Sequence, residues 1–263
     1  MLRFRSHNGY ARLRVFNAFM GALHFFQAGL MLYLSNDTTL PIRTNYLDVT
    51  GGGPGSFINT ATETIYDLQI GPVVASFLAL SALAHFTLIL PRVYPWYIKN
   101  LKAGKNYARW IEYSLSSSIM IWVIAMLCGI YDLSALILIF SLNACMNLFG
   151  LLMEHVNTKN KKNPDWLAYI FGCFAGIVPW IAIFLHFYGA LNNVEEAIPA
   201  FVYWIVISLF VTFNIFALNM FLQYKKVGPW KEYLFGEKMY IILSLVAKSA
   251  LAWQVFSGTL RPM

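Results

Sequence analysis

The sequence predicts an all-α membrane protein, a bundle of seven transmembrane helices, and three observations carry that prediction. The 263 residues are 59% hydrophobic and 12% charged, with a mean hydropathy of +0.58, whereas soluble domains carry about 25% charged residues. Seven apolar runs each exceed the length of about 18 residues that crosses a bilayer. Their length and lack of alternation favour helices over barrel strands.

The seven runs follow one another with little room for a separate soluble domain, so we predict one domain over 1–263. They cover 15–35, 67–90, 108–131, 133–153, 167–190, 198–224 and 238–260. The first run follows the basic segment 1–14 and has no convincing small-residue cleavage site, which favours a membrane span over a removed signal.

Lysine and arginine predict the orientation of the bundle. They concentrate in the N-terminal segment and in the second-to-third, fourth-to-fifth and sixth-to-seventh connections, while the opposite face has only Arg43 and Arg261. Basic loops stay in the cytoplasm, so we expect a cytoplasmic N-terminus and an extracellular C-terminus. The net charge of +7 is then explained by membrane orientation and does not indicate a nucleic-acid partner. The lipid bilayer of a cell or host cell is the expected surrounding.

The longest connection, 36–65, is the exception among short loops. It contains Gly-Gly-Gly-Pro-Gly at 51–55 between pieces rich in threonine and aromatic residues. Glycine and proline between such pieces are typical of a hairpin turn. We predict an extracellular β-hairpin here.

One charge lies deep in the seventh run, in SLVAKSALAW at 244–253. Lys248 follows the boundary residue Lys238 by ten residues, a depth of about 15 Å. A lysine at a helix centre costs about 2.5–3.5 kcal/mol on insertion scales. At this depth the side chain does not easily extend its ammonium to the membrane surface. Lys248 therefore indicates a function and requires a partner.

Three further ionisable groups, Glu112, His24 and His85, fall about 10–15 Å below the same face. Glu112 is the expected partner of Lys248, because their helices start at the same face and side chains lean toward helix N-termini. The alternative is that Arg109, one turn away, pairs with Glu112 and leaves Lys248 unpaired at several kcal/mol. For His24 and His85 the alternative is that they are interior histidines with satisfied hydrogen bonds and no functional role.

A serine stands four residues from three of these groups, at a spacing that shares a helix face. The serines are Ser244 beside Lys248, Ser116 beside Glu112 and Ser81 beside His85. Either they complete a polar network, since polar groups in lipid need partners, or each bonds a carbonyl of its own helix.

A buried amine beside a carboxylate is suited to Schiff-base chemistry, in which the carboxylate stabilises the protonated imine. A polyene aldehyde would also need an apolar slot lined by aromatic side chains. Six aromatic residues are candidates for this lining, and the alternative is that they are ordinary core or membrane-interface residues. They are Trp122, Trp180, Tyr203, Phe210, Phe213 and Trp253.

The chain resembles the heliorhodopsins, microbial retinal proteins of inverted membrane orientation. The resemblance extends over essentially the whole chain and rests on RWIEYSLSSSIMI, FGCFAGIVPWI, FVYWIVISLF, FNIFAL and SLVAKSALAWQVFSGTL, together with HFFQ and LSALAH. It implies all-trans-retinal on Lys248 with Glu112 as counterion, supported by Ser81, Ser116 and Ser244. It also implies a cytoplasmic-side proton network, in which we place His24, His85 and Arg109, and a homodimer with an external hairpin.

We expect a light sensor, with an unidentified cytoplasmic signalling partner, and neither an enzyme nor a pump. We expect no ionisable residue in the outward half of any span, and Val123 stands where bacteriorhodopsin-like pumps carry a second carboxylate. A light-gated proton channel is the alternative, with Glu195 or Glu196 at its outer mouth. A more remote alternative is a light-independent retinal- or carotenoid-binding protein, or a transporter.

Overall fold

The computed structural model describes residues 2–50, 57–157, 163–193 and 198–260. Within these ranges the chain forms eight α-helices and one β-hairpin. In chain order they are α1 (Leu2–Leu34), β1 (Thr39–Thr50), β2 (Phe57–Gln69), α2 (Ile70–Ile89), α3 (Tyr94–Lys102), α4 (Tyr107–Leu127), α5 (Leu133–Val156), α6 (Leu167–Asn193), α7 (Ala200–Lys225) and α8 (Tyr233–Val255). Every helix except α3 is long and apolar enough to cross a membrane, so the protein is a multi-pass membrane protein.

Short connections make sequential helices neighbours, as expected for antiparallel packing. The most extensive helix contacts join α1 with α2, α4 with α5, α5 with α6, and α7 with α8. Helix α4 also packs on α2, and α8 contacts α1 and α2. The predicted third and seventh spans, α4 and α8, thus both lie beside α2.

Local signals in the sequence fix where the central helices begin and end. The side chain of Asn106 accepts a hydrogen bond from the Arg109 amide and caps α4, and Asp132 caps α5 in the same way through Ala135. Gly129 has a φ of +89° in the turn between these two helices, a conformation that glycine adopts without steric cost.

The hairpin lies across one end of the bundle. Its strands are antiparallel from Thr39 opposite Gln69 to Thr50 opposite Phe57. The amide of Arg43 donates to the Tyr131 carbonyl at 2.9 Å, which ties β1 to the turn between α4 and α5. The predicted glycine-rich turn at 51–55 lies outside the described residues.

Several boundaries differ from the predicted spans for physical reasons. Strand β2 continues to Gln69, so α2 starts three residues after the predicted position 67. Helix α1 begins at Leu2 because helical structure continues through the basic segment, whose polar residues an apolar-run criterion excludes. The amphipathic α3 was not predicted, since nine residues are too short to register as a span.

Candidate functional site

Lys248 and Glu112 form a buried ion pair between α8 and α4. Lys248 Nζ lies 2.9 Å from Glu112 Oε1, and the two side chains are 3% and 11% exposed. The Ser81 hydroxyl, from α2, donates to the same carboxylate oxygen at 2.6 Å. Lys248 also donates to Ser244 Oγ at 2.9 Å. Three helices therefore converge on one charged centre.

Two further side chains surround this centre, one beside the ammonium and one beside the carboxylate. Lys248 Nζ lies 5.2 Å from the centre of the Tyr113 ring, within range of a cation–π attraction. Ser116, placed one turn after Glu112, is fully buried, and its hydroxyl has no hydrogen-bond partner in the described part of the chain. Ser116 therefore retains hydrogen-bonding capacity beside the carboxylate.

The two histidines predicted for a proton network lie next to each other. Their rings stack with centroids 5.7 Å apart and an angle of 13° between their planes. His85 Nδ1 is 2.8 Å from the side-chain oxygen of Asn17, a buried residue of α1 that the sequence analysis did not identify. Both ring nitrogens of His24 are buried and lack a hydrogen-bond partner among the described residues. Polar side chains thus extend from Ser81 through His85, one turn away on α2, to Asn17 and His24 on α1.

A cavity of about 460 Å³ lies between α4, α5, α6 and α7, within the usual size range of ligand pockets, about 300–1,000 Å³. A smaller space of about 40 Å³ adjoins Lys248 and Ser244. The two spaces share five lining residues, Tyr113, Met146, Asn147, Phe213 and Phe216. Because the two spaces share these walls, we call them together the slot. It is largely apolar, and the amine of Lys248 lies at one end of it.

The aromatic candidates divide into those at the slot and those away from it. Trp180 and Phe213 line the cavity, with ring centroids 5.6 Å apart in an edge-to-face arrangement. Phe210 lies behind them and packs edge-to-face on Trp180 at 5.3 Å. Trp122 and Tyr203 are not among the lining residues, and Trp253 is 38% exposed and bonds to Gln27.

Two polar residues of α5 that the sequence analysis did not single out lie at or near the slot. Asn147 lines the cavity and donates to Ser117 Oγ at 3.0 Å. Asn143 donates to Ser117 and Ser118 at 2.7 and 3.0 Å and is buried. A buried asparagine on an otherwise apolar span was a usable signal, because polar groups inside a membrane require partners.

Arg109 does not pair with Glu112, contrary to the alternative considered above. Its guanidinium binds Glu154 of α5 and Glu237 of α8 through both terminal nitrogens. The sequence analysis missed both carboxylates, since each stands at a span end beside a basic residue, His155 or Lys238, and is typical there of the membrane interface. Both side chains are instead 1% exposed.

One expectation about the halves of the spans that the sequence analysis assigned to the outside is wrong. His186 lies in the last third of α6, so those halves do hold an ionisable residue. It is exposed on the surface of the bundle and does not face the interior. Glu195, Glu196 and Arg261 lie outside the described residues.

A seven-helix membrane bundle with a buried lysine, a carboxylate partner and an apolar slot defines the class of retinal-binding rhodopsins. Within that class the chain belongs to the heliorhodopsin family, whose model matches residues 13–260. Family membership implies a retinal chromophore and a photoreceptor-type membrane protein. No similar protein was found among curated sequences.

Proposed function

We propose that the protein is a light sensor in which Lys248 carries all-trans-retinal as a protonated Schiff base and Glu112 is the counterion. The observation that carries this proposal is the contact between Lys248 and Glu112, 2.9 Å, at the end of the apolar slot. The slot suits a polyene because its walls are mostly apolar and aromatic and its polar groups cluster near the amine.

The residues around the amine hold and orient a positive charge. When bound, retinal supplies visible absorption and light-driven isomerisation. Glu112 stabilises the charged nitrogen, and the Ser81 hydroxyl donates to that carboxylate. Ser244 accepts a hydrogen bond from the free ammonium of Lys248 and so orients it, whereas the protonated imine keeps a single N–H, which Glu112 accepts. Trp180 and Phe213 restrict the width of the slot.

His24 and His85 are the proposed acceptors of the proton that leaves this centre after illumination. They lie on α1 and α2, and His85 is one helix turn from Ser81. The ring nitrogens of His24, which have no hydrogen-bond partner among the described residues, can bind a proton. Slow return of the proton would keep the altered state populated long enough for a cytoplasmic partner to read it.

The remaining parts of the proposal concern membrane placement. The distribution of Lys and Arg supports a cytoplasmic N-terminus. The hairpin β1–β2 then lies outside the cell, and its exposed apolar side chains are the proposed contacts of a homodimer, namely Tyr46 and Leu47 on β1 and Ile65 and Tyr66 on β2. Sensing is favoured over pumping because Val123, at the position of a second carboxylate in pumps, is 1% exposed and packed in the apolar core.

The experiment that tests the attachment site replaces Lys248 by alanine and compares it with Lys238→Ala on the same helix. Both variants are expressed with all-trans-retinal, and folding is checked by gel filtration in detergent. We expect Lys238→Ala to retain visible colour through acid denaturation and Lys248→Ala to lose it. Acid-stable colour in folded Lys248→Ala would contradict the assignment.

A further inference from the structure

A second buried charge cluster lies apart from the lysine pair, at the ends of α4, α5 and α8. It consists of Arg109, Glu154 and Glu237, whose side chains are 4%, 1% and 1% exposed. The Asn106 amide donates to Glu154 Oε2 at 2.7 Å, and its side chain donates to Glu237 Oε2 at 2.7 Å. One cation and two carboxylates are thus enclosed together.

Among the residues that the structure describes, the groups that face this cluster do not balance its charge. Helices α3, α7 and α8 contribute phenols to it, namely Tyr97, Tyr224, Tyr233 and Tyr240. None of these supplies a positive charge. With both carboxyls ionised, the cluster would carry a net charge of −1 in a place almost closed to water. A buried charge without compensation is costly, and such a group takes up a proton instead.

The cluster also has hydrogen-bonding capacity beyond its ion pairs. The Tyr240 hydroxyl, Arg109 Nε and Trp110 Nε1 are buried without a hydrogen-bond partner in the ranges that the structure describes. The rings of Tyr240 and Trp110 lie against the Arg109 guanidinium at 3.9 and 4.5 Å. Tyr233 OH, 3.3 Å from Glu154 Oε1, can act as donor to a carboxylate or acceptor from a carboxylic acid.

We propose that Arg109, Glu154 and Glu237 form a proton-binding site that holds one exchangeable proton shared by the two carboxyl groups. A proton from the aqueous phase converts one carboxylate to a carboxylic acid, and the net charge of the cluster goes from −1 to zero. The remaining carboxylate stays paired with Arg109. Like charges that share one enclosed site do not both ionise readily, and their titration belongs to the pair.

This site is distinct from the proposed chromophore and does not depend on it. It links α4 and α8, the two helices that carry Glu112 and Lys248, to α5. The number of bound protons follows from counting charges: one in the native chain, and none when either carboxyl is replaced by a neutral amide. Each variant then has one cation and one anion.

The test is infrared spectroscopy of the purified protein, expressed with retinal, in a maltoside detergent that contains no carbonyl group, near neutral pH. A carboxylic acid gives a C=O stretching band above the amide bands that shifts down in D₂O, and a carboxylate does not. We expect this band in the native protein and its loss in both Glu154→Gln and Glu237→Gln. Glu232→Gln, which removes an exposed carboxylate at the start of α8, should leave the band unchanged.

Absence of the band in the native protein would overturn the proposal, and that measurement needs no variant to fold. A band that survives in either folded Glu154→Gln or folded Glu237→Gln would also overturn it, because the proton would then reside elsewhere. The band is measured in the dark and is assigned by these two variants. The test therefore remains valid even if retinal does not attach to Lys248.

Discussion

Replacing Glu112 by glutamine removes the negative charge nearest to Lys248 while preserving the shape of the side chain. The charged nitrogen and the carboxylate oxygen are 2.9 Å apart. With an effective dielectric constant of about 20, their attraction is about 6 kcal/mol. At about 1.4 kcal/mol per pH unit, its loss should lower the pH at which the pigment loses its proton by about 4 units. Residual dipoles of Ser81 and the new amide reduce this value, so we expect a decrease of 2 to about 4 units.

The assay is a pH titration of the visible band in detergent. The native pigment should keep its visible band to a much higher pH than Glu112→Gln, which should convert to a near-ultraviolet form. Ser81→Ala provides a graded comparison, since it removes only the 2.6 Å hydrogen bond to the carboxylate. Because Glu112 is a carboxylate on both sides of this titration, loss of that hydrogen bond leaves the counterion charge in place, so the titration of Ser81→Ala should stay well above that of Glu112→Gln. Glu232→Gln is the control at an exposed carboxylate. An unchanged titration in Glu112→Gln would refute the counterion assignment.

Three further predictions concern the slot, the packing of α4 against α5, and transport. Trp180→Ala should lower pigment stability by about 3–5 kcal/mol, because Trp180 is buried against Phe210 and Phe213; thermal bleaching identical to that of the native pigment would contradict this. Gly150→Ala should cost about 1–3 kcal/mol, because its methyl group would overlap the ring of Trp110, whereas Gly29→Ala on α1 meets no neighbouring atom and should be tolerated in the same melting assay. Under voltage clamp, illumination should produce no current whose reversal follows the proton gradient, and such a current would establish the channel alternative.

Six of the seven spans could be predicted from the sequence to within about five residues at each end, because each is a long apolar run. Errors arose where local geometry overrides composition. Strand β2 extends to Gln69 into the apolar run that was assigned to the second span. Gly129 ends the third span early by forming a turn. Helix α3 is too short and too basic for the apolar-run criterion.

The charged centre was predictable in part, by counting depth along each helix. Lys248 is ten residues from Lys238 and Glu112 is seven from Lys105, two basic residues taken to mark the membrane surface, so both stood out. Glu154 and Glu237 did not, since depth counting treats a carboxylate near a span end as solvated. Only tertiary packing shows that Arg109 turns toward these carboxylates and that Asn106 closes the cluster.

The aromatic residues were the least predictable part of the site. At 17% aromatic content, many side chains have suitable depth, and the rotation of each helix about its axis decides which ones face the slot. Trp180 and Phe213 face it, whereas Trp253 faces outward. No linear pattern in the sequence separates these cases.

The most direct test of the central claim is a visible absorption spectrum of the protein expressed with all-trans-retinal, before and after treatment with hydroxylamine under illumination. We predict a visible band that bleaches while the near-ultraviolet band of retinal oxime appears, as required of an imine on Lys248. A folded protein with no visible band, or a visible band with no oxime after bleaching, would contradict the account.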